Sequence, residues 1–212
     1  MCEAERFGKV TNFELHHFSD ASTTGYGQCS YLLLVSEDGQ VNCSLFMSKA
    51  RVVPRKSLTI PRLELSAAVV SVRHLISRLL RVELNFDNIV EWFWTDSNIV
   101  LGYIAKESSR FDIFVSNRVQ QILDHTSPKQ WKYIELINPA DIASRGLPAE
   151  ELSRNTIWFN RLHFLWGNES ALPDQSIPKL DLEDPEVRRA KTLITQTDKC
   201  YSSILDRIEY FW

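Results

Sequence analysis

Four acidic side chains stand out because each follows or opens a different predicted element. They are Asp20 in HHFSDAS, Glu64 in TIPRLELSAAV, Asp96 in EWFWTDSNIV and Asp141 in INPADIASRG. Carboxylates that are brought together repel one another, so a folded chain keeps them adjacent only when a cation or a shared proton neutralises them. Oxygen ligands of this kind select hard ions such as Mg²⁺ or Mn²⁺. The set therefore predicts a two-ion site, of the kind that hydrolyses phosphodiesters by activating water and stabilising the leaving oxygen.

Each acid also has a simpler interpretation when it is considered alone. A single Asp or Glu is more often a helix cap or a solvated side chain than a metal ligand. Asp96 and Asp141 both suit the start of a helix, where the helix dipole favours a negative charge. The prediction of a metal site therefore depends on the four acids occurring together, in this order of elements.

Hydrophobic periodicity predicts the elements that carry these acids. The strands are predicted over residues 13–22, 28–35, 41–48, 89–95 and 131–136. The helices are predicted over residues 61–81, from Ser97 or Asn98 through 104, over 112–123, and from 138 as a short helix. This order indicates an α/β fold, a mixed sheet flanked by helices. Asp96 then lies at the end of a strand, where the crevices of open α/β sheets form.

The length of 212 residues favours one domain with an appendage. We expect an N-terminal leader over 1–12, the main domain over 13–147, an aromatic extension packed on it over 148–180, and a helical connector over 181–212. The apolar end of the chain leads us to expect a piece cut from a longer polypeptide.

Composition excludes several classes of protein. A net charge of −3 gives no general basic field, so any nucleic-acid contact must be local. The four cysteines form no CxxC pair and no secretory signal is visible, which favours a reduced intracellular compartment without a structural zinc. The longest apolar runs, such as YLLLV, are far short of the ~20 residues that cross a bilayer. We expect no membrane partner.

One compact basic run precedes the helix that carries Glu64. Beside the acids it would bind phosphates with a salt-dependent affinity, although a solvated loop explains it equally well. Its members are Lys49, Arg51, Arg55, Lys56 and Arg62, and further polar candidates for nucleic-acid contact are Ser22, Thr23, Asn98 and Asn117.

Two pairs of side chains alternate along predicted strands. We expect one of His16 and His17 to be buried and the other exposed. Trp92 and Trp94 also alternate, and we expect them to be core or edge residues. An exposed tryptophan could stack on nucleic acid.

Several motifs together resemble one known family. FSDAS with GYG, SKARV, TIPRLEL, WTDSNIVL, FVSNRV and NPADIASRG look like the ribonuclease H domain of BEL/Pao-type long-terminal-repeat retrotransposon Pol polyproteins, over residues 13–147 and more weakly to about 178. The resemblance implies a ribonuclease H-like fold that hydrolyses the RNA strand of RNA–DNA hybrids during reverse transcription. It also implies that Asp20 bridges two metal ions, that Glu64 and Asp96 complete one ion, and that Asp141 helps to hold the ion that activates water.

The resemblance further implies the partners of the domain. These are the hybrid, recognised through its A-like shape and 2′-hydroxyls, and the reverse transcriptase and integrase regions of the parent polyprotein. The setting would be the cytoplasm, in a virus-like particle, or the nucleus. Many cellular ribonucleases H carry a mobile histidine shortly before the last acid, whereas KYIELINPAD has none, so proton transfer would fall to solvent.

Two other functions stay open at this point. The first is an inactive nucleic-acid-binding or interaction module of retroelement origin. The second is a DNA-directed nuclease or integrase of similar fold, which would need a different arrangement of acids.

Overall fold

The computed structural model describes residues 7–55, 58–73, 89–106, 111–135, 138–154, 158–159, 165 and 185–187. The strands are β1 (Val10–Ala21), β2 (Gly25–Ser36), β3 (Val41–Val52), β4 (Ile89–Thr95) and β5 (Trp131–Tyr133). The helices are α1 (Ile60–Arg73), α2 (Asn98–Ala105), α3 (Ile113–Leu123), α4 (Ala140–Arg145) and α5 (Ala149–Arg154). None of the helices in these ranges has the length and hydropathy needed to span a bilayer.

The five strands form one mixed sheet in the order β3-β2-β1-β4-β5. β1 pairs antiparallel with β2 and parallel with β4, and β4 pairs parallel with β5. Helix α1 packs on β1 and β2, and α4 also contacts these two strands. The predicted α/β fold, a mixed sheet flanked by helices, is confirmed.

Two large apolar clusters form most of the core, and a third, smaller one contains Leu15 and Ile89. The first joins α1, α2 and α3 to β4, around Leu65, Val100, Val115 and Phe93. The second joins β1 and β2 to the start of α4 and to Trp158, whose carbonyl oxygen accepts a hydrogen bond of 2.7 Å from the Tyr31 hydroxyl. Because both faces of the sheet are covered, its central strand lies in the interior.

The expectation that either His16 or His17 would be exposed is wrong. Their exposed fractions are 2% and 1%, because β1 is covered on both of its faces. His16 accepts a hydrogen bond from the Trp94 indole at Nδ1, so its Nε2 donates to Glu14, 3.1 Å away. Trp94 is buried and Trp92 is half-buried, with the Lys132 ammonium 5.3 Å from its ring centroid.

The first half of the predicted basic loop belongs to a strand. β3 continues through Val52, and Lys49 and Arg51 lie opposite Gln28 and Tyr26 of β2. The hairpin pairing of β2 with β3 therefore extended the strand beyond the point where the apolar pattern stops.

The segment 185–187 packs against the helical layer far from it in sequence. Val187 forms a β-bridge with Phe111, and the Asp112 amide donates to the Glu186 carbonyl oxygen at 2.9 Å. The Arg62 guanidinium donates to both carboxylate oxygens of Glu186, at 2.6 and 2.8 Å, and to Asp112 at 3.1 Å. We call this arrangement the Arg62–Glu186 tie.

Several sequence predictions fall outside the described residues. They are Lys56, the end of the first predicted helix beyond 73, position 136 of the last strand, and most of the proposed extension and connector. The strand β1 begins at Val10, inside the span that was assigned to a leader. The four domain boundaries stay a prediction.

Candidate functional site

The parallel pairing of β1 with β4 brings two of the four acids to one end of the sheet. Ser19 lies opposite Thr95, so Asp20 and Asp96 follow neighbouring positions on adjacent strands. The Asn138 amide donates to the Ser19 carbonyl oxygen at 3.0 Å and its own oxygen accepts from the Ala140 amide at 3.0 Å. Asn138 thereby fixes the start of α4, with Asp141 in its first turn, beside the end of β1.

Asp20 is the most deeply buried of the four acids, with 7% of its surface exposed. The Ser144 hydroxyl donates to its Oδ2 at 2.5 Å. Burial raises the pKa of Asp20 from 3.8 to about 6, and repulsion from Asp96 and Asp141 adds to the rise, while the Ser144 hydroxyl and the Ala21 amide oppose it. The protein therefore holds an acid here whose charge is costly without a cation.

Glu64 projects from the second turn of α1 and is held by the cap of another helix. The Ser97 hydroxyl donates to Glu64 Oε2 at 2.7 Å and accepts from the Val100 amide at 3.2 Å, so one serine caps α2 and orients Glu64. Desolvation raises the pKa of Glu64, and repulsion from Asp96 adds to the rise.

Asp96 lies on the solvent-exposed side of the four acids. Partial desolvation raises its pKa, with a smaller contribution from the charge of Asp141, whereas hydrogen bonds to its own backbone and to the Asn138 side chain oppose the rise. Asp141 is nearer to solvent, and its Oδ1 accepts from the Arg145 guanidinium at 2.5 Å across one turn of α4.

The donor set fits a hard divalent cation in its chemistry, because four carboxylates from four elements interact electrostatically and three of them have a raised pKa. Within the described ranges, however, no group of three or more His, Cys, Asp or Glu side chains is arranged to hold an ion. Each acid is instead held by a partner of its own, namely Ser144, Ser97, Asn138 and Arg145.

Residues 3–97 match the family model described as the Pao retrotransposon-like RNaseH-like domain. This segment belongs to that family. It contains β1 to β4 and three of the four acids, Asp20, Glu64 and Asp96. The sheet described above is accordingly that of a ribonuclease H-like fold, and the family expected from the sequence motifs is confirmed.

Solved ribonucleases H are also similar to this Pao-type domain. Ribonuclease H1 of Halobacterium salinarum NRC-1 is 14% identical, with 68% of this chain and 99% of that chain covered and a TM-score of 0.36. The N-terminal RNase H domain of a Mycobacterium tuberculosis protein, solved as a fusion with maltose-binding protein, is 10% identical over 61% and 92%, with a TM-score of 0.37. No curated protein matches the chain.

A basic cleft of about 250 Å³ lies on the helical side of the sheet. It lies between the β2–β3 hairpin and helices α1 and α3, and its polar lining includes Tyr26, Arg51, Ser66, Asn117, Arg118 and Gln121. Arg51 and Asn117 are exposed there, whereas the Arg118 guanidinium is committed to the Ser66 hydroxyl and the Phe114 carbonyl oxygen. Two of the sequence-predicted nucleic-acid contacts thus meet in one cleft.

Some of the other side chains predicted to contact nucleic acid are accessible, and others already make hydrogen bonds or ion pairs within the protein. Arg55, Thr23 and Asn98 are exposed, and Lys49 is half-buried on β3. Ser22 donates to the Ser144 carbonyl oxygen at 2.8 Å. Arg62 is engaged in the Arg62–Glu186 tie, which assigns it a structural contact that the sequence did not reveal.

Sequence reasoning identified the four acids and missed the groups that hold three of them. The sequence left the start of α2 open between Ser97 and Asn98; the structure shows Ser97 as the cap, and its bond to Glu64 was not foreseen. Asn138, Ser144 and Arg145 all lie within the motif NPADIASRG, so the motif itself was the available signal.

Proposed function

We propose that this chain is a metal-dependent endoribonuclease that hydrolyses the RNA strand of RNA–DNA hybrids, with Asp20, Glu64, Asp96 and Asp141 as its catalytic residues. The observation that carries the proposal is the meeting of acids from β1, α1, β4 and α4 at one end of the sheet in a ribonuclease H-like domain. Burial raises the pKa of three of these carboxylates, and a bound cation would neutralise the charges that burial makes costly.

The four carboxylates would hold two ions, Mg²⁺ or Mn²⁺. Bound ions of this class activate water and stabilise the leaving oxygen of a phosphodiester. The chain supplies the negative charge that such ions need and a partly buried setting in which electrostatic interactions are stronger than in water.

The hydrogen-bonding partners of the acids would keep the donor oxygens ready for the substrate. Ser97 orients Glu64, Ser144 orients Asp20, and Asn138 orients Asp96 while it anchors α4. Among residues 138–154 there is no histidine beside Asp141, so we assign the proton transfers to solvent.

The hybrid would be bound through its phosphates by exposed basic and polar side chains of the domain. Arg51 and Asn117 suit this role best, because both line the basic cleft and both are exposed. Lys49, Arg55, Thr23 and Asn98 are further candidates, since three of them are exposed and Lys49 is half-buried. Such contacts recognise backbone shape and leave base identity unread.

The similarity to a retroelement family supports a proposal about the larger setting of the domain. We propose that it acts with the reverse transcriptase and integrase regions of a parent Pol polyprotein, in cytoplasmic virus-like particles or in the nucleus. The division into a leader, a ribonuclease H-like domain, an aromatic extension and a connector belongs to the same proposal.

The decisive experiment is cleavage of a labelled RNA–DNA hybrid by the purified chain with Mg²⁺ or Mn²⁺, beside duplex DNA and duplex RNA. We expect cleavage of the hybrid alone, abolished in Asp20→Asn and in Asp96→Asn, because each change removes a ligand oxygen and keeps the side-chain shape. Circular dichroism of both variants serves as the control for folding. Full activity in either variant would overturn the metal assignment.

A second candidate function is an inactive nucleic-acid-binding module. The observation that favours it is that no three ligand side chains of the described residues are arranged to hold an ion, with Asp141 paired to Arg145. Hybrid binding without cleavage in either metal would support this alternative. Cleavage of duplex DNA would instead support a DNA-directed nuclease.

A further inference from the structure

Ser144 connects two of the four acids through one hydroxyl group. It lies in the last turn of α4 with an exposed fraction of 3%, and its Oγ is 2.5 Å from Asp20 Oδ2 and 3.1 Å from the Asp141 carbonyl oxygen. A serine hydroxyl has a single proton, and a carboxylate is the stronger acceptor, so the proton is given to Asp20.

The backbone of Ser144 is fixed independently of its hydroxyl. Its carbonyl oxygen accepts from the Ser22 hydroxyl at 2.8 Å and from the Thr24 hydroxyl at 3.4 Å, both in the turn between β1 and β2. A Cβ atom on Gly25 would lie 2.6 Å from the same carbonyl oxygen, so glycine at this position permits the close approach. The end of α4 therefore packs against the β1–β2 turn and is hydrogen-bonded to it.

These contacts leave the Ser144 hydroxyl little freedom to turn elsewhere. A donor on a fixed backbone restricts the torsion of the carboxylate that accepts from it, here Asp20. Holding a ligand in its binding orientation before an ion arrives lowers the conformational entropy that binding must remove. Residues that orient a ligand in this way typically change metal affinity by roughly 10–100-fold when they are removed.

We infer that Ser144 is a positioning residue, whose hydroxyl holds the Asp20 carboxylate in the orientation that binds a divalent cation. This inference rests on the proposed function, because it assumes that Asp20 is a metal ligand. Ser144 touches neither substrate nor ion, and acts through Asp20 alone.

The test is Mn²⁺ binding by the full chain in the absence of substrate. Electron paramagnetic resonance and calorimetry measure the affinity. We expect Ser144→Ala to weaken Mn²⁺ binding by roughly 10–100-fold. The matched control is Ser71→Ala, since Ser71 is also a buried helical serine, 2% exposed, whose hydroxyl donates to the Ala68 carbonyl oxygen. Ser71→Ala should leave Mn²⁺ affinity within about two-fold of the parent, although it removes a comparable hydrogen bond.

A second readout separates positioning from a general loss of structure. In the cleavage assay, Ser144→Ala should raise the Mg²⁺ concentration for half-maximal rate and leave the KM for the hybrid unchanged. If Ser144→Ala does not fold, Ser144→Cys replaces it, because a thiol occupies similar space and is a poor donor, and the same weakening is expected.

The outcomes distinguish this inference from the function on which it rests. Mn²⁺ binding that is lost in Asp20→Asn but equal in the parent and the Ser144 variant overturns the inference alone. Equal weakening by Ser71→Ala also overturns it. Absence of Mn²⁺ binding by the parent chain overturns the proposed metal site and this inference together.

Discussion

Asp20 combines deep burial with a position beside two other acids. Its carboxylate loses hydration on folding and gains only the Ser144 hydroxyl and the Ala21 amide as donors. Burying a charge without a counter-charge costs free energy, so the ionised Asp20 carboxylate destabilises the fold at neutral pH. Asp20 therefore couples the stability of the fold to protons and, under the proposed function, to cations.

We expect Asp20→Asn to stabilise the metal-free protein at pH 7.5 and to have little effect near pH 4. With a pKa of about 6 in place of 3.8, Asp20 binds its proton more tightly in the folded state. Its contribution favours folding below about pH 4 and is lost as the pH rises through about 6. The difference is on the order of 2–3 kcal/mol in the free energy of unfolding.

Urea unfolding at both pH values with a chelator present measures this difference. The control is Asp38→Asn, the same substitution at an exposed position of the β2–β3 turn. Addition of Mg²⁺ at pH 7.5 should stabilise the parent more than Asp20→Asn. A variant that is no more stable than its parent at pH 7.5 would contradict the account.

Arg51 and Arg62 provide a second prediction at the scale of single residues. Arg51 is exposed in the basic cleft, whereas Arg62 is bound to Glu186 and Asp112. Arg51→Ala should weaken hybrid binding and leave the free energy of unfolding within about 0.5 kcal/mol. Arg62→Ala should lower the free energy of unfolding by about 1.5–3 kcal/mol, because it removes charge-assisted hydrogen bonds.

Fluorescence anisotropy with a labelled hybrid and urea unfolding separate the two effects. Glu186→Gln is the partner variant for Arg62, and a double-mutant cycle isolates the Arg62–Glu186 coupling. Loss of hybrid binding in Arg62→Ala with unchanged stability would show that the tie opens to bind nucleic acid.

At the scale of elements, helix α2 joins the fold to the site through its N-cap. Ser97 donates to Glu64 of α1 and accepts from the first turn of α2, so one residue links two helices at the end of β4. Ser97→Ala should destabilise the protein by about 1–2 kcal/mol, since it removes the cap and the bond to Glu64 together. Ser97→Thr keeps both groups and serves as the matched control in the same unfolding measurement.

The bounds of an element were predicted best where a single sequence pattern determines where the element ends. Ile89–Thr95 was predicted with its observed bounds, because an apolar strand runs directly into the Ser97 cap. β3 was predicted too short because pairing with β2, rather than composition, determines where it ends. The hydroxyl of Ser144 could not be assigned to Asp20 from sequence, because the two residues are 124 positions apart.

At the scale of the whole molecule, a net charge of −3 coexists with a local group of cations around the basic cleft. Affinity for nucleic acid must then come from a few phosphate contacts, against weak repulsion from the rest of the surface. A small number of contacts gives modest binding by the chain on its own, with a shallow dependence on salt.

We expect the logarithm of the hybrid association constant to fall with the logarithm of salt concentration with a slope of about −2 to −4. Arg51→Ala should reduce the magnitude of this slope by about 1, since one phosphate contact is lost. Anisotropy titrations between low and moderate salt measure it, and Asp38→Asn serves as a charge-changing control away from the cleft. An unchanged slope in Arg51→Ala would remove Arg51 from the proposed interface.

The order of the strands has a consequence for synthesis of the chain on the ribosome. β1, β2 and β3 are synthesised one after another, so β1 can pair with β2 early. The other edge of β1 pairs with β4, which is synthesised later: Ser19 lies 75 residues before Trp94. At about 5–20 residues per second, that edge is unpaired for roughly 4–15 s. Exposed strand edges invite pairing with other chains, and inward-pointing charged residues discourage it. Glu14 and its neighbour His16, buried in the finished sheet, would thus protect the nascent hairpins from aggregation until β4 arrives.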